Sequence, residues 1–353
     1  MKFDARKTLL TLLLVATASL AASAQEDTTT SDAAISNAAT PEADAPAAAT
    51  PAADAKAPSA PQDADDADKL PEFDQAEIIR GQLGRLEKIK QDLRLVLVTS
   101  ESDHFILFSD LDTRVRRAIL DWLEDLRTKL SDKFGLDAKA RLWDGKCLVL
   151  VFARQEFLAD FARKFDNHNA QRPRGYFVLE SRTAKGPRLV HIAAYQPVNG
   201  GNEALQEVLV HETTHAIIEL YQKSAEIPLW VHEGLAEYMT TLINPALRVK
   251  KAAEAHRVAS ATPYEPIRDL FNSRFSAANM AAYSISITLV ECLQSIDAGG
   301  VMKLVTFIKQ GVEPEAALGK AYPGLNYEEL ERRWQRFVLR NYRPPADADD
   351  AKR

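Results

Sequence analysis

Cysteine is almost absent from this chain of 353 residues: Cys147 and Cys292 are the only two. Each stands alone among apolar neighbours, with no Cys-x-x-Cys pair or Cys/His cluster beside it. That excludes a disulfide framework and a cysteine-built metal site, and both are read as buried free thiols. A basic excess is missing too. Residues 1–70 hold five Lys/Arg against 11 Asp/Glu, which accounts for the whole net charge of −6. Residues 71–342 are therefore neutral, with no basic stripe, and a nucleic acid is excluded as the main partner. Long apolar runs are also lacking. Leu9–Leu20 has 12 residues where about 20 are needed to cross a bilayer, and no later stretch approaches spanning length.

The flanks of that short run give it a meaning. Lys2, Arg6 and Lys7 precede it, and the small residues Ala22-Ser23-Ala24 follow it. Residues 1–24 are expected to be a secretory signal peptide cleaved near Ala24, leaving a periplasmic or secreted chain with no membrane span. Residues 25–70 are rich in Ala, Pro and Asp with almost no large apolar side chain. Such a segment cannot bury enough surface to offset its ordering entropy, so it reads as a disordered linker. The tail, residues 343–353, has the same character.

The globular part is expected over residues 71–342. Glu77–Asp92 fits a helix weakened by Gly81 and Gly84. Leu95–Thr99 and His104–Ser109 read as a hairpin. Asp112–Phe134 places Val115, Ile119, Trp122, Leu123, Leu126 and Leu130 on one helical face, and Gly135 ends it. Lys146–Ala153 reads as a strand and Gln155–Lys164 as a helix. Gly175–Glu180 and Arg188–Tyr195 read as strands around a Lys185-Gly186-Pro187 turn. After Asn199-Gly200-Gly201 the pattern is helical as far as Tyr342. This order predicts an α+β fold: a mixed sheet with helices in an N-terminal lobe, then a metal-binding helix pair and a mainly α-helical C-terminal lobe.

The chemistry is concentrated at His211-Glu212-Thr213-Thr214-His215, set in an apolar helix between Leu205 and Leu220. Residues four apart share a helix face, so both imidazoles can bind one Zn²⁺ while Glu212 stands one position round the turn. A glutamate there suits the role of general base toward a water acidified by the metal. The run Pro228-Leu229-Trp230-Val231-His232-Glu233-Gly234-Leu235-Ala236-Glu237-Tyr238 follows. Pro228 can open a second helix, with Glu233 and Glu237 on one face. Glu233 is the expected third ligand. Glu237 is expected to accept the other ring N–H of His211. His232 is a rival ligand, but as the immediate neighbour of Glu233 it points about 100° away on a helix.

The His211–His215 pair together with the Trp-x-x-Glu-Gly-x-Ala-x-Tyr run of Trp230–Tyr238 resembles the gluzincin metallopeptidases, especially the peptidase-MA-like bacterial family. The resemblance implies Zn²⁺ on His211, His215 and Glu233, with Glu212 as the base. It also implies that Tyr283, in Ala281-Ala282-Tyr283-Ser284, places its hydroxyl against the oxyanion. Two departures stand out. The 17 residues between His215 and Glu233 are one fewer than in aminopeptidase N relatives, and the Gly-x-Met-Glu-Asn motif that holds a substrate amino terminus is missing.

The leading expectation is a zinc-dependent peptidase acting on a peptide or protein. The strand Arg188–Tyr195 is either an exposed edge for an extended substrate or an internal strand. Two other readings use the same residues: a catalytically silent envelope interaction protein, and a zinc hydrolase of a non-peptide amide or ester.

Overall fold

The computed structural model describes residues 73–134, 141–167, 174–180, 186–221, 225–271 and 280–342. The signal peptide, the linker, the tail and the Gly135 helix stop lie outside these residues.

A five-stranded sheet is built from β1 (Val98–Glu101), β2 (Phe105–Ser109), β3 (Cys147–Phe152), β4 (Gly175–Leu179) and β5 (Val190–Tyr195), in the order β1-β2-β3-β5-β4. The outer pairs β1–β2 and β4–β5 are antiparallel; β2–β3 and β3–β5 are parallel. The first strand of the hairpin starts three residues later than the sequence pattern places it. Pairing starts with Val98 opposite Ser109, where β2 ends, so residues 95–97 have no ladder partner.

The inner strands are apolar on both faces because both are covered. Phe105 and Leu107 of β2, Val149 and Val151 of β3, and Ile192 and Ala194 of β5 face one core. Ile106, Phe108, Leu148, Leu150, Phe152 and Ala193 face another. The first core is closed by α2 (Thr113–Phe134) and α4 (Gly201–Leu220). The second is closed by α1 (Gln75–Leu93) and α3 (Gln155–Phe161), which passes into a π-helical turn at Ala162–Asp166. Helix α1 runs through Gly81 and Gly84; the Asp74 carboxylate caps it by accepting from Ala76 and Glu77 N–H.

From α4 onward the described residues are helical apart from their connections: α5 (Leu229–Ile243), α6 (Ala246–Ala259), the short α7 (Arg268–Phe271), α8 (Met280–Ile296), α9 (Gly300–Lys309), α10 (Pro314–Ala321) and α11 (Tyr327–Asn341). The fold is α+β, as the order of elements predicts. One hydrophobic core runs from the α4 face of the sheet into α11, so the sheet lobe and the helical lobe share it. Cys147 and Cys292 are buried free thiols. No single helix among the described residues is long and apolar enough to cross a membrane.

One of the two readings of Arg188–Tyr195 now falls away. That strand is internal, hydrogen-bonded to β3 and β4 on its two sides, and the edge of the sheet beside α4 is β4. Gly175 allows the close approach of α4 to this edge: a Cβ there would lie 2.6 Å from a Val208 methyl.

Candidate metal centre

Helix α4 is buried nearly all round, which is what its lack of a polar face requires. Gly200, with φ +89°, makes the left-handed turn that starts it. Further along, His211, Glu212 and His215 are all buried. Helix α5 crosses α4 with Pro228 at its N-cap position and brings in Glu233 and Glu237, also buried.

Three ligand atoms converge. His215 Nε2 lies 2.9 Å from His211 Nε2, and Glu233 Oε2 lies 3.4 Å and 3.6 Å from those two nitrogens. A triangle with these sides has a circumradius of about 1.9 Å, close to the usual 2.0–2.1 Å ligand distance of zinc, so these three atoms would fit a cation of that size. The polar atoms around it lack other partners. Neither oxygen of Glu233 or Glu212 accepts a hydrogen bond, and both side chains are buried. Buried carboxylates without partners are costly, and a metal ion is one of the few groups that meets them. His211, His215 and Glu233 form a group that could hold a metal ion. The tighter connection between His215 and Glu233 therefore does not keep Glu233 from the two imidazoles.

The electrostatics agree with a site built for a cation. Burial alone would lower the His211 pKa, but Glu233, Glu237 and Glu212 outweigh it and raise it to about 9. His215 goes the other way, pushed well down by burial and by the charge of His211. The two facing nitrogens thus compete for one proton, a place that a metal ion could take instead. Burial raises the Glu212 carboxyl to about 7, with His211 lowering it and Glu233 raising it. A dication held beside it would pull it back toward the ordinary carboxylate range.

The surroundings hold these side chains in place. Glu237 Oε1 faces His211 Nδ1 at 3.5 Å. The rings of His232 and Phe177 both stack on His215, with centroids at 4.2 Å and 6.1 Å. His232 is not part of the ligand group; it packs on the His215 ring instead. Tyr283, near the start of α8, is buried, and its phenol is raised by burial and by the charges of Glu233, Glu237 and Glu212. Its hydroxyl therefore stays protonated near three carboxylates. The stacking of Phe177 and His232 was not foreseen from the sequence, nor was Lys251 of α6, which pairs with Glu237. The one local hint for Lys251 is its place among the alanines of α6.

No protein-family model matches the chain, and no curated protein matches it at a significant level.

Proposed function

We propose that this protein is a zinc-dependent peptidase of the gluzincin type, acting in the periplasm or outside the cell. The observation that carries the reading is the convergence of His211 Nε2, His215 Nε2 and Glu233 Oε2 on one point, with Glu212 beside His211. Two imidazoles and one carboxylate are the donor set of many hydrolytic zinc sites, which keep a fourth position open. Zinc, when bound there, supplies a Lewis acid that acidifies water and polarises a carbonyl.

The chain's own residues do the rest. Glu212 takes the proton of the attacking water and returns it to the leaving amine. Tyr283, a protonated phenol, donates a hydrogen bond to the substrate carbonyl oxygen as it gains charge. Glu237 keeps the His211 proton on Nδ1, so that Nε2 presents a lone pair. Strand β4, the sheet edge beside α4, offers backbone groups with which an extended peptide can pair.

The test is cleavage of an unfolded protein by the purified chain, with and without a chelator, followed by zinc add-back. The expected result is cleavage that stops with the chelator, returns with zinc, and falls by several orders of magnitude in Glu212→Gln. Cleavage that is indifferent to both chelator and Glu212→Gln contradicts the proposal. Turnover of small amides or esters without any peptide cleavage would move the same site to a different substrate class.

A further inference from the structure

The Glu237 carboxylate is held from two sides. Its Oε1 faces His211 Nδ1, and its Oε2 is met by the ammonium of Lys251, which also faces Glu207 Oε1 at 3.7 Å. Three helices contribute to this row: Glu207 and His211 lie four apart on α4, Glu237 comes from α5 and Lys251 from α6.

The position is unusual for a lysine. A long stem ordinarily carries its ammonium out to water. Here the side chain is 13% exposed, and its end contacts a carboxylate that is 3% exposed. The neighbouring buried residues on α6, Ala252, Ala255 and Ala259, are small, which allows that helix to lie close to its neighbours. Taking an ammonium out of water costs several kcal/mol unless it is well paired. An ion pair that merely joined two helices could stand at the surface, where it would escape that cost. The extra consequence of burying it here is that one oxygen of Glu237 is fixed, which aims the other at a ligand imidazole.

We propose that Lys251 is a positioning residue of the metal centre: by anchoring Glu237 it fixes the proton of His211 on Nδ1 and leaves Nε2 directed at His215 and Glu233. This rests on the reading of His211, His215 and Glu233 as metal ligands. Lys251 touches neither metal nor substrate and acts through Glu237 alone.

The experiment measures zinc dissociation constants by chelator competition for the wild-type chain, Lys251→Met, Lys251→Arg, Glu237→Gln and the double variant Lys251→Met/Glu237→Gln. Outer partners of metal ligands are worth roughly 10–100-fold in affinity, and Lys251→Met should lose about tenfold. Lys251→Arg, which keeps the charge, should recover most of that loss. The double variant should bind no more weakly than Glu237→Gln, because the lysine acts on His211 through Glu237 and not through Glu207. Wild-type affinity in Lys251→Met, or losses that multiply in the double variant, would overturn the proposal. Lys251→Gln, read in the same way, replaces the methionine variant if circular dichroism shows that the latter does not fold. A wild-type chain that binds no zinc would overturn the metal-site reading itself, and this role with it.

Discussion

Gly234 is in backbone contact with Ser286: a Cβ at position 234 would lie 2.5 Å from the Ser286 carbonyl oxygen and 2.8 Å from a Val290 methyl. The contact sets the distance between α5 and α8. Glu233 is next to Gly234 and Tyr283 stands one turn before Ser286, so the same contact places the phenol near the Glu233 carboxylate.

Gly234→Ala should therefore destabilise the protein even though alanine is the better helix former by about 1 kcal/mol. Overpacking of this kind costs about 1–3 kcal/mol, and here the clash is with main chain that cannot rotate away. Denaturant unfolding should show a lower midpoint, and zinc affinity should fall along with it. A variant as stable as wild type would mean that α5 and α8 can move apart freely.

Tyr283→Phe separates two roles of one ring. A hydroxyl that strengthens its contact only as charge develops contributes to kcat, so the variant should lose kcat and kcat/KM together with little change in KM. The loss expected for one such donor is about 10²–10³-fold. The ring itself remains and still fills its buried place, so stability should change little. Normal kcat in the variant would reduce Tyr283 to a packing residue.

Much of this site was legible because its chemistry is local. His211, Glu212 and His215 lie within two turns of one helix, and Glu233 and Glu237 lie four apart on the next. The periodicity of α2 and the continuous apolar run of β3 likewise reveal elements without any tertiary information. What was hidden depends on neighbours distant in sequence. Nothing near Arg188–Tyr195 tells whether that strand is edge or interior; the return of β4 to its outer side decides it. Lys251 acquires its place only when α6 folds against α4 and α5.

His191 is another example, hidden among apolar residues of β5. Its Nδ1 lies 2.6 Å from Glu180 Oε1 and its Nε2 2.9 Å from Asp166 Oδ2, with Arg85 also on Glu180 and the Tyr176 hydroxyl on Asp166. With a carboxylate on each ring nitrogen, this buried imidazole is held toward its charged form, and it joins β5 to Glu180, just past the end of β4, and to Asp166 of the π-helical turn.

The network has a sign that can be tested. Burial alone would lower the His191 pKa, but Asp166 and Glu180 outweigh it and raise it above 6.5. That stabilisation is complete below about pH 6.5 and is lost as pH rises through the raised value. Burial alone would raise the Glu180 pKa, but His191 and Arg85 lower it to about 2 from 4.5. That contribution is complete above about pH 4.5 and is lost as pH falls through about 2. Both are therefore in full force between about pH 4.5 and 6.5. His191→Gln should cost about 3 kcal/mol or more at about pH 5.5, the price of breaking a buried charge network, and less at about pH 9. A stability difference that is flat or grows over that range would contradict the assignment of a charged His191.

The central claim, a zinc site held by His211, His215 and Glu233, is tested most directly by elemental analysis of three purified chains. Wild type should carry about one zinc per chain, and Glu233→Ala should carry none, because two imidazoles alone make a poor site. Glu237→Ala should still take up zinc, with affinity roughly 10–100-fold weaker. Zinc lost from Glu237→Ala and kept by Glu233→Ala would exchange the two roles. Full zinc in both variants, or none in the wild-type chain, would contradict the account.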